Sequence, residues 1–162
     1  MRVAVIGGTG PFGRAVATRL REAGVDVVVG SRDAARAAAT GAELGVEGAT
    51  NAEAAAGADL VVLAVNADAV LDTARELRAA IGVTPVLSVA SELRFTEQGV
   101  CPSPEAASLA ERIQKELDAP VVAGLHSFAA ASLGVTTRRT RMRSCAGTTP
   151  RRRRSRSSSP AA

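Results

Sequence analysis

The 162-residue sequence lacks several features that mark common classes of protein. Its two cysteines, Cys101 and Cys145, are too few and too isolated for a disulfide framework or a cysteine-based metal site. No apolar run is long enough to cross a bilayer, and a strand-like run that begins at Val3 leaves no room for a signal-peptide pattern. We therefore expect a cytoplasmic protein that has no membrane partner.

Motifs typical of nucleophilic catalysis are also absent. The chain has no Ser-x-x-Lys or Gly-x-Ser-x-Gly sequence, no paired carboxylates with an obvious partner, and a single histidine, His126. His126 follows a predicted strand, where it could donate a hydrogen bond to a bound ring, carry a proton or simply hold its loop. These absences favour chemistry that depends on positioning cofactors, so we assign no catalytic residue and no metal site.

Charge divides the sequence into two parts. All 16 acidic residues lie between Glu22 and Asp118, so residues 1–134 carry a net charge of −5, whereas residues 135–162 carry nine arginines and no acidic residue. The basic isoelectric point therefore belongs to the tail alone. We predict a folded domain over residues 1–134 and a disordered tail over residues 135–162, because the tail has too few apolar residues to offset the entropy of ordering.

The arginine-rich tail has two interpretations. As a basic arm it would bind nucleic acid or another anionic surface. As the product of a frameshift it would replace an acidic continuation. Plausible codons for this segment encode a sequence rich in Asp and Glu when they are translated in another reading frame. We favour the frameshift, and so we do not expect nucleic acid to be a partner.

Residues 1–134 alternate short apolar runs with longer amphipathic stretches. Buried strands separated by helices predict an α/β fold, a Rossmann-like doubly wound parallel sheet. The predicted strands are Val3–Ile6, Val25–Val29, Val46–Thr50, Asp59–Val65, Pro85–Val89 and Pro120–Leu125. The predicted helices are Arg14–Ala23, Asp33–Leu44, Asn51–Ala56, Asp68–Ile81 and Pro104–Leu117, with Asn51 and Ser103 as the expected caps of the third and the fifth.

The first predicted strand runs directly into a glycine-rich turn. Gly8, Gly10 and Gly13 have the Gly-x-Gly-x-x-Gly spacing, and a helix-like stretch follows at once. Strand, glycine turn and helix together are the context in which this spacing indicates a dinucleotide-binding site. We expect Gly8 to allow the tight turn, Gly10 to admit a pyrophosphate and Gly13 to let the helix lie close to the strand. The N–H groups at the helix start would then favour the phosphate charge.

The end of the second predicted strand indicates which dinucleotide binds. NAD sites usually carry an acidic residue there, which binds the ribose 2′-hydroxyl. This chain has Ser31 and Arg32 instead, with Arg36 one helical turn later. A hydroxyl and two guanidinium groups suit a 2′-phosphate, so we predict NADP(H), and we expect Asp33 to favour the start of the next helix. In the alternative, Ser31 caps that helix and the arginines are merely solvated.

Four motifs, in order and at matching spacing, resemble the NADPH-dependent reductases of the deazaflavin coenzyme F420. They are Gly7 to Gly13, Val28 to Arg32 with Arg36, Asp72 to Arg75, and Leu125 to Ala131. The resemblance runs from Met1 to about Leu133 and implies a Rossmann domain followed by a smaller helical domain, for which we expect no counterpart in this chain. It also implies reversible hydride transfer between NADP(H) and coenzyme F420, whose rings would stack face to face.

The resemblance further implies which residues hold the two cofactors. One group would lie along the pyrophosphate, a second would hold the 2′-phosphate, a third would line the nicotinamide side, and one residue would lie where the rings approach. In that order they are Thr9, Gly10, Pro11 and Phe12; Ser31, Arg32 and Arg36; Ala67 and Leu71; and Ala130. The chain departs from the family pattern at Asn66, where a proline can occur, and at Phe128-Ala129-Ala130, where the family can have Ile-Pro-Ala.

The missing helical domain changes what we expect of this chain. NADP(H) binding should persist, turnover with coenzyme F420 should be weak or absent, and the homodimer of the family is not expected. Two other functions stay open. One is an NADP(H)-binding module without catalysis, and the other is a different NADP-dependent reductase of the same superfamily, similar to pyrroline-5-carboxylate reductase or to a metalloreductase domain.

Overall fold

The computed structural model describes residues 1–97, 99–101, 105–125 and 127–134. The strands in these segments are β1 (Arg2–Ile6), β2 (Asp26–Ser31), β3 (Glu47–Thr50), β4 (Leu60–Leu63), β5 (Val86–Ser88), β6 (Arg94–Thr96), β7 (Gly99–Cys101) and β8 (Val121–Ala123). Six of them form one parallel sheet in the order β3-β2-β1-β4-β5-β8, and β6 and β7 form a separate antiparallel hairpin. This order is the doubly wound one, with its switch point between β1 and β4, so the predicted fold class is confirmed.

Helices cover both faces of the sheet. They are α1 (Pro11–Glu22), α2 (Ala34–Leu44), α3 (Asn51–Ala55), α4 (Ala67–Ile81), α5 (Leu109–Glu116) and α6 (Ala130–Gly134). Successive side chains of β1 divide between two cores: Val3 and Val5 share one with α1, whereas Ala4 and Ile6 share the other with α3, α4 and α5. Both faces of the strand are therefore buried, which is why its sequence is apolar throughout.

The first helix begins earlier than predicted, and the third has a different cap. The first starts at Pro11 rather than Arg14, with proline in the first turn, where its missing N–H removes no helical hydrogen bond. The third is capped by Thr50 and not by Asn51, because Thr50 and Glu53 form a reciprocal capping box. The capping residue, Thr50, therefore lies one residue before the predicted cap.

The predicted helix Pro104–Leu117 is wrong at its start. Residues 105–108 are not helical, and α5 begins after Ser108, which forms a second capping box with Glu111. The expected cap, Ser103, lies outside the described residues. A Ser-x-x-Glu pair directly before the apolar positions of α5 was the stronger start signal.

Two short elements have no counterpart in the prediction, namely the β6–β7 hairpin and α6. Strands of three residues are too short to show an alternating pattern. The expectations for His126, Cys145 and residues 135–162 fall on residues outside those described, so the predicted domain boundary after residue 134 stays a prediction. Among the helices of the described segments, none combines the length and the hydropathy needed to cross a bilayer.

Candidate functional site

A cavity of about 390 Å³ opens at the carboxyl ends of β1, β2, β3 and β4. It lies at the switch point of the sheet, where open α/β sheets bind their ligands. Its walls come from the glycine turn, the β2–α2 connection, the first residue of α3 and the start of α4. The lining residues are Gly7, Thr9, Gly10, Ser31, Arg32, Asp33, Arg36, Asn51, Ala64, Val65, Asn66, Ala69 and Thr73.

The turn that begins this cavity depends on Gly7 as well as Gly8. Gly7 has a φ of +77°, a backbone conformation that side chains other than hydrogen rarely allow. Gly8 has no such φ, but a Cβ there would lie 2.7 Å from a methyl carbon of Val29 and 2.8 Å from the carbonyl oxygen of Val5. The tight turn therefore needs glycine at both positions: Gly7 for its positive φ, which the prediction missed, and Gly8, as predicted, because no Cβ fits there.

The other two glycines of the motif face different surroundings. A Cβ on Gly13 would lie 2.5 Å from the carbonyl oxygen of Gly7, so only glycine lets α1 approach the turn this closely, as predicted. A Cβ on Gly10 would meet only that same oxygen, at 3.4 Å, and otherwise open space. Gly10 also begins α1 without a side-chain cap, and Pro11 follows it. The first turn of α1 therefore presents backbone N–H groups that an anion can use.

Two arginines of the cavity, Arg32 and Arg36, have no partner for their guanidinium groups among the described residues. Other arginines behave differently: Arg14 pairs with Glu43, and Arg78 pairs with Asp118. Two positive charges without counter-charges make this end of the cavity attractive to a dianion such as a phosphate.

Ser31 and Asp33 fix the backbone between β2 and α2. The carboxylate of Asp33 caps α2 by accepting a hydrogen bond from the backbone N–H of Arg36 at 3.0 Å. The backbone N–H of Asp33 in turn donates to the hydroxyl of Ser31 at 3.3 Å. The helix-starting role predicted for Asp33 is confirmed, and the alternative in which Ser31 caps this helix is wrong.

Asn51 reaches the same cavity from the end of β3, although sequence reasoning gave it only a capping role. Its Oδ1 atom is buried and has no hydrogen-bond partner among the described residues. This oxygen lies against Gly30, since a Cβ on that glycine would come within 3.0 Å of it. The signal that could have located Asn51 is a polar residue directly after a strand on the ligand side of the sheet.

Half of the predicted cofactor-binding residues come together in this cavity: Thr9, Gly10, Ser31, Arg32 and Arg36. The others lie in helices that border it or stand further away. Pro11 and Phe12 form the first turn of α1, with Phe12 packed partly against the core, and Ala67 and Leu71 pack against the other core from the start of α4. Ala130 begins α6, which packs on α1 and accepts a hydrogen bond at Leu133 from Arg19.

A second cavity of about 330 Å³ also lies on the carboxyl-end side of the sheet, beside the last residues of β5 and β8. Small and apolar side chains, such as Ala90, Leu109 and Ala123, form much of its wall. The hydroxyl of Ser88 also belongs to it; this residue is 1 % exposed, and its oxygen has no hydrogen-bond partner among the described residues. In the described part of the chain, no three His, Cys, Asp or Glu side chains are grouped as metal binding requires.

Comparison with known proteins agrees with this geometry. The model of a family described as NADP oxidoreductase, coenzyme F420-dependent, matches residues 2–92. An F420-dependent NADP reductase from Methanothermobacter thermautotrophicus is 44% identical over 87 residues, which is 48% of this chain and 38% of that protein. Its counterpart from Methanothermobacter marburgensis is 41% identical over 90 residues, which is 50% of this chain and 40% of that protein. The match therefore spans about two fifths of the length of these curated relatives.

A solved structure is similar over more of the chain. A protein from Arthrobacter sp. FB24, described provisionally as an F420-dependent NADP-reductase, superposes with a TM-score of 0.70 at 29% identity and covers 81% of this chain and 64% of its own. A pyrroline-5-carboxylate reductase from Coxiella burnetii, with a TM-score of 0.57 at 21% identity, covers 75% of this chain and 42% of its own. The second likeness is one of fold alone.

Proposed function

This chain belongs to the family of coenzyme F420-dependent NADP oxidoreductases, and we propose that it binds NADP(H) and transfers a hydride between NADP(H) and the deazaflavin coenzyme F420. The observation that carries the proposal is the pair Arg32 and Arg36, whose guanidinium groups face the first cavity without a partner among the described residues. A reductase that used NAD(H) would have a free carboxylate at this position instead.

The residues of the first cavity fit the phosphates of NADP(H). Gly10 leaves open the space that a pyrophosphate needs, and the first turn of α1 offers N–H groups and the positive end of its dipole. Arg32 and Arg36 would hold the 2′-phosphate through charge-assisted hydrogen bonds. Asp33 adds one negative charge to this cavity, but its carboxylate accepts a hydrogen bond at the start of α2, and the two guanidinium groups outweigh it in charge.

The second cavity suits the ring system of the hydride acceptor. Its walls are mostly apolar, as a flat heterocycle requires, and the unpartnered hydroxyl of Ser88 offers one hydrogen bond. Both cavities lie at the carboxyl ends of strands of the same sheet, the first at β1 to β4 and the second at β5 and β8. NADPH supplies a hydride that, with one proton, converts oxidised F420 to its reduced form and leaves NADP⁺, and the reverse reaction consumes the same species. The residues need only hold the rings together and exclude water, which fits a site without an acid–base pair.

The test measures binding and turnover separately on the full chain. Calorimetric titration should show NADPH binding about 10-fold or more tighter than NADH, since each charge-assisted hydrogen bond contributes about 1.5–3 kcal/mol. With NADPH present, the visible absorbance of oxidised F420 should fall slowly, because turnover by this chain is expected to be weak, and it should not fall with NADPH omitted. Equal affinity for NADH and NADPH would refute the cofactor assignment. Tight NADPH binding with no loss of F420 absorbance would refute hydride transfer and favour a binding module.

A further inference from the structure

We infer that Asn51 recognises the adenine base of NADP(H), with its Oδ1 atom accepting a hydrogen bond from the 6-amino group. This inference rests on the proposed binding of NADP(H) in the first cavity. It adds a specificity-determining residue that none of the four sequence motifs contains, and it assigns a partner to an atom that has none among the described residues.

The first step of the argument is the unpartnered oxygen itself. Buried polar atoms in folded proteins nearly always have a hydrogen-bond partner, and each exception calls for a physical reason. In the described segments only three buried side-chain atoms are exceptions, on Asn51, Ser88 and Arg112. Of these residues, Asn51 alone lines the first cavity. This oxygen lies against Gly30 and is not exposed to the cavity, so the amide must turn about its Cβ–Cγ bond before a ligand in the cavity can supply the donor.

The second step is that α3 does not need this side chain. Its first turn is satisfied by Thr50 and Glu53: the hydroxyl of Thr50 accepts from the Glu53 N–H at 3.3 Å, and the Glu53 carboxylate accepts from the Thr50 N–H at 2.9 Å. Asn51 is the next residue after that cap, and no hydrogen bond of its Oδ1 supports the helix. A structural role for this amide group thus has no contact to rest on.

The third step assigns the parts of the cofactor to the walls of the cavity. The glycine turn suits the pyrophosphate, and Arg32 and Arg36 suit the 2′-phosphate, so both charged parts already have partners. The part of the cofactor next to the 2′-phosphate is the adenosine, whose flat neutral base still lacks a partner. The walls of the same cavity include the small apolar side chains of Val65 and Ala69, which suit such a ring.

A side-chain amide matches adenine in particular. It places an acceptor beside donors, and adenine places the 6-amino donor beside the N7 acceptor, so an Asn can bind both. A hypoxanthine base has a carbonyl oxygen in place of the amino group. If the amide of Asn51 rotated to donate to that oxygen, its own oxygen would face the N7 acceptor. Hypoxanthine should therefore bind less well.

The test compares NADP⁺ with nicotinamide hypoxanthine dinucleotide phosphate, which differs only in this base. The wild-type chain should bind NADP⁺ about 10-fold more tightly than the hypoxanthine analogue. Asn51→Ala should lower the affinity for NADP⁺ about 10-fold and leave that for the analogue within about twofold, so the preference disappears. Asn66→Ala is the matched control, because Asn66 lines the same cavity and its side chain caps no N–H group. This variant should keep the wild-type ratio of the affinity for NADP⁺ to the affinity for the hypoxanthine analogue.

Thermal unfolding without ligand gives a second readout. Asn51→Ala removes a buried acceptor that has no partner, so the melting temperature should stay equal or rise. If this variant weakens both dinucleotides equally, the contact is with a ribose hydroxyl or is structural, and the inference fails. It also fails if neither affinity changes. A wild-type chain that binds neither dinucleotide would instead refute the proposed function, before any ratio is measured.

Discussion

The carboxylate of Asp33 accepts a hydrogen bond from the backbone N–H of Arg36, with 3.0 Å between Oδ1 and N. An acidic residue just after the second strand would hold the ribose 2′-hydroxyl in an NAD site. Here the same residue type starts α2, and the guanidinium of Arg36 has no partner among the described residues. Helix capping and coenzyme choice are therefore separate tasks of neighbouring residues, and mutation can separate them.

Replacing Asp33 tests this division. Asp33→Asn should keep the cap, because Asn caps about as well as Asp, and should leave the affinity for NADP⁺ equal or higher, because it removes a negative charge beside Arg32. Asp33→Ala should lower the free energy of unfolding by about 0.5–2 kcal/mol, as loss of a cap does. Urea unfolding and calorimetry measure the two effects. Weaker NADP⁺ binding by Asp33→Asn would show that the carboxylate touches the cofactor.

Removing the arginines should change coenzyme preference more than stability. Arg32→Ala and Arg36→Ala should each weaken NADP⁺ binding about 10-fold to 100-fold, the effect of about 1.5–3 kcal/mol, and should leave NAD⁺ binding within about threefold. Arg21→Ala is the control, since the guanidinium of Arg21 donates to the Leu44 carbonyl and does not line the cavity. A parallel loss of NAD⁺ affinity in the Arg32 and Arg36 variants would contradict a 2′-phosphate contact.

Gly10 and Gly13 should respond to the same substitution in opposite ways. Gly13→Ala places a methyl group 2.5 Å from a backbone oxygen, so the folded state should lose about 1–3 kcal/mol or more. Gly10→Ala meets no such clash and should cost at most about 1 kcal/mol, the difference between these residues at an N-cap. Its methyl group nevertheless projects toward the predicted pyrophosphate, so NADPH binding should be lost. Retention of wild-type affinity by Gly10→Ala would place the pyrophosphate elsewhere.

The sequence predicts those parts of the fold whose signal is local. The buried strands are apolar on both faces and alternate with helices, and this pattern alone predicts the doubly wound sheet. The position of the 2′-phosphate residues is equally local, because Ser31 ends β2, Arg32 follows it and Arg36 lies in the first turn of α2. Five of the predicted site residues therefore meet in one cavity.

Other parts of the site depend on contacts between distant segments, and no local pattern reports them. Asn51 faces Gly30 across two neighbouring strands, and its unpartnered oxygen is visible only once the surrounding atoms are placed. The second cavity likewise joins Ser88, Leu109 and Ala123, which belong to three separate elements, β5, α5 and β8. The role of Gly7 was not predicted for a different reason. The Gly-x-Gly-x-x-Gly spacing begins at Gly8, whereas the residue with the positive φ is Gly7, directly before that motif.

The final prediction concerns the junction of α4 with the end of α5. Arg75 donates two hydrogen bonds to Glu116, both at 2.9 Å, and Arg78 donates two to Asp118, at 3.0 and 2.9 Å. These hydrogen bonds, with the attraction of the guanidinium charges, hold the pKa of Glu116 and the pKa of Asp118 below their ordinary values. For an acid whose pKa is lowered in the folded state, the stabilisation is present above the unfolded pKa and is lost as pH falls through the folded pKa.

The melting temperature should therefore fall as the pH is lowered from about 5 through the range below about 4, where the unfolded carboxyl groups already bind protons. The double variant Arg75→Met and Arg78→Met should have a smaller fall over this interval, because its carboxylates keep pKa values closer to ordinary. Each pair is largely exposed, so the effect should also shrink at high salt concentration. Arg21→Met, remote from this junction, should retain the wild-type pH profile. An identical pH dependence for the double variant and the wild type would show that these four side chains contribute nothing to acid sensitivity.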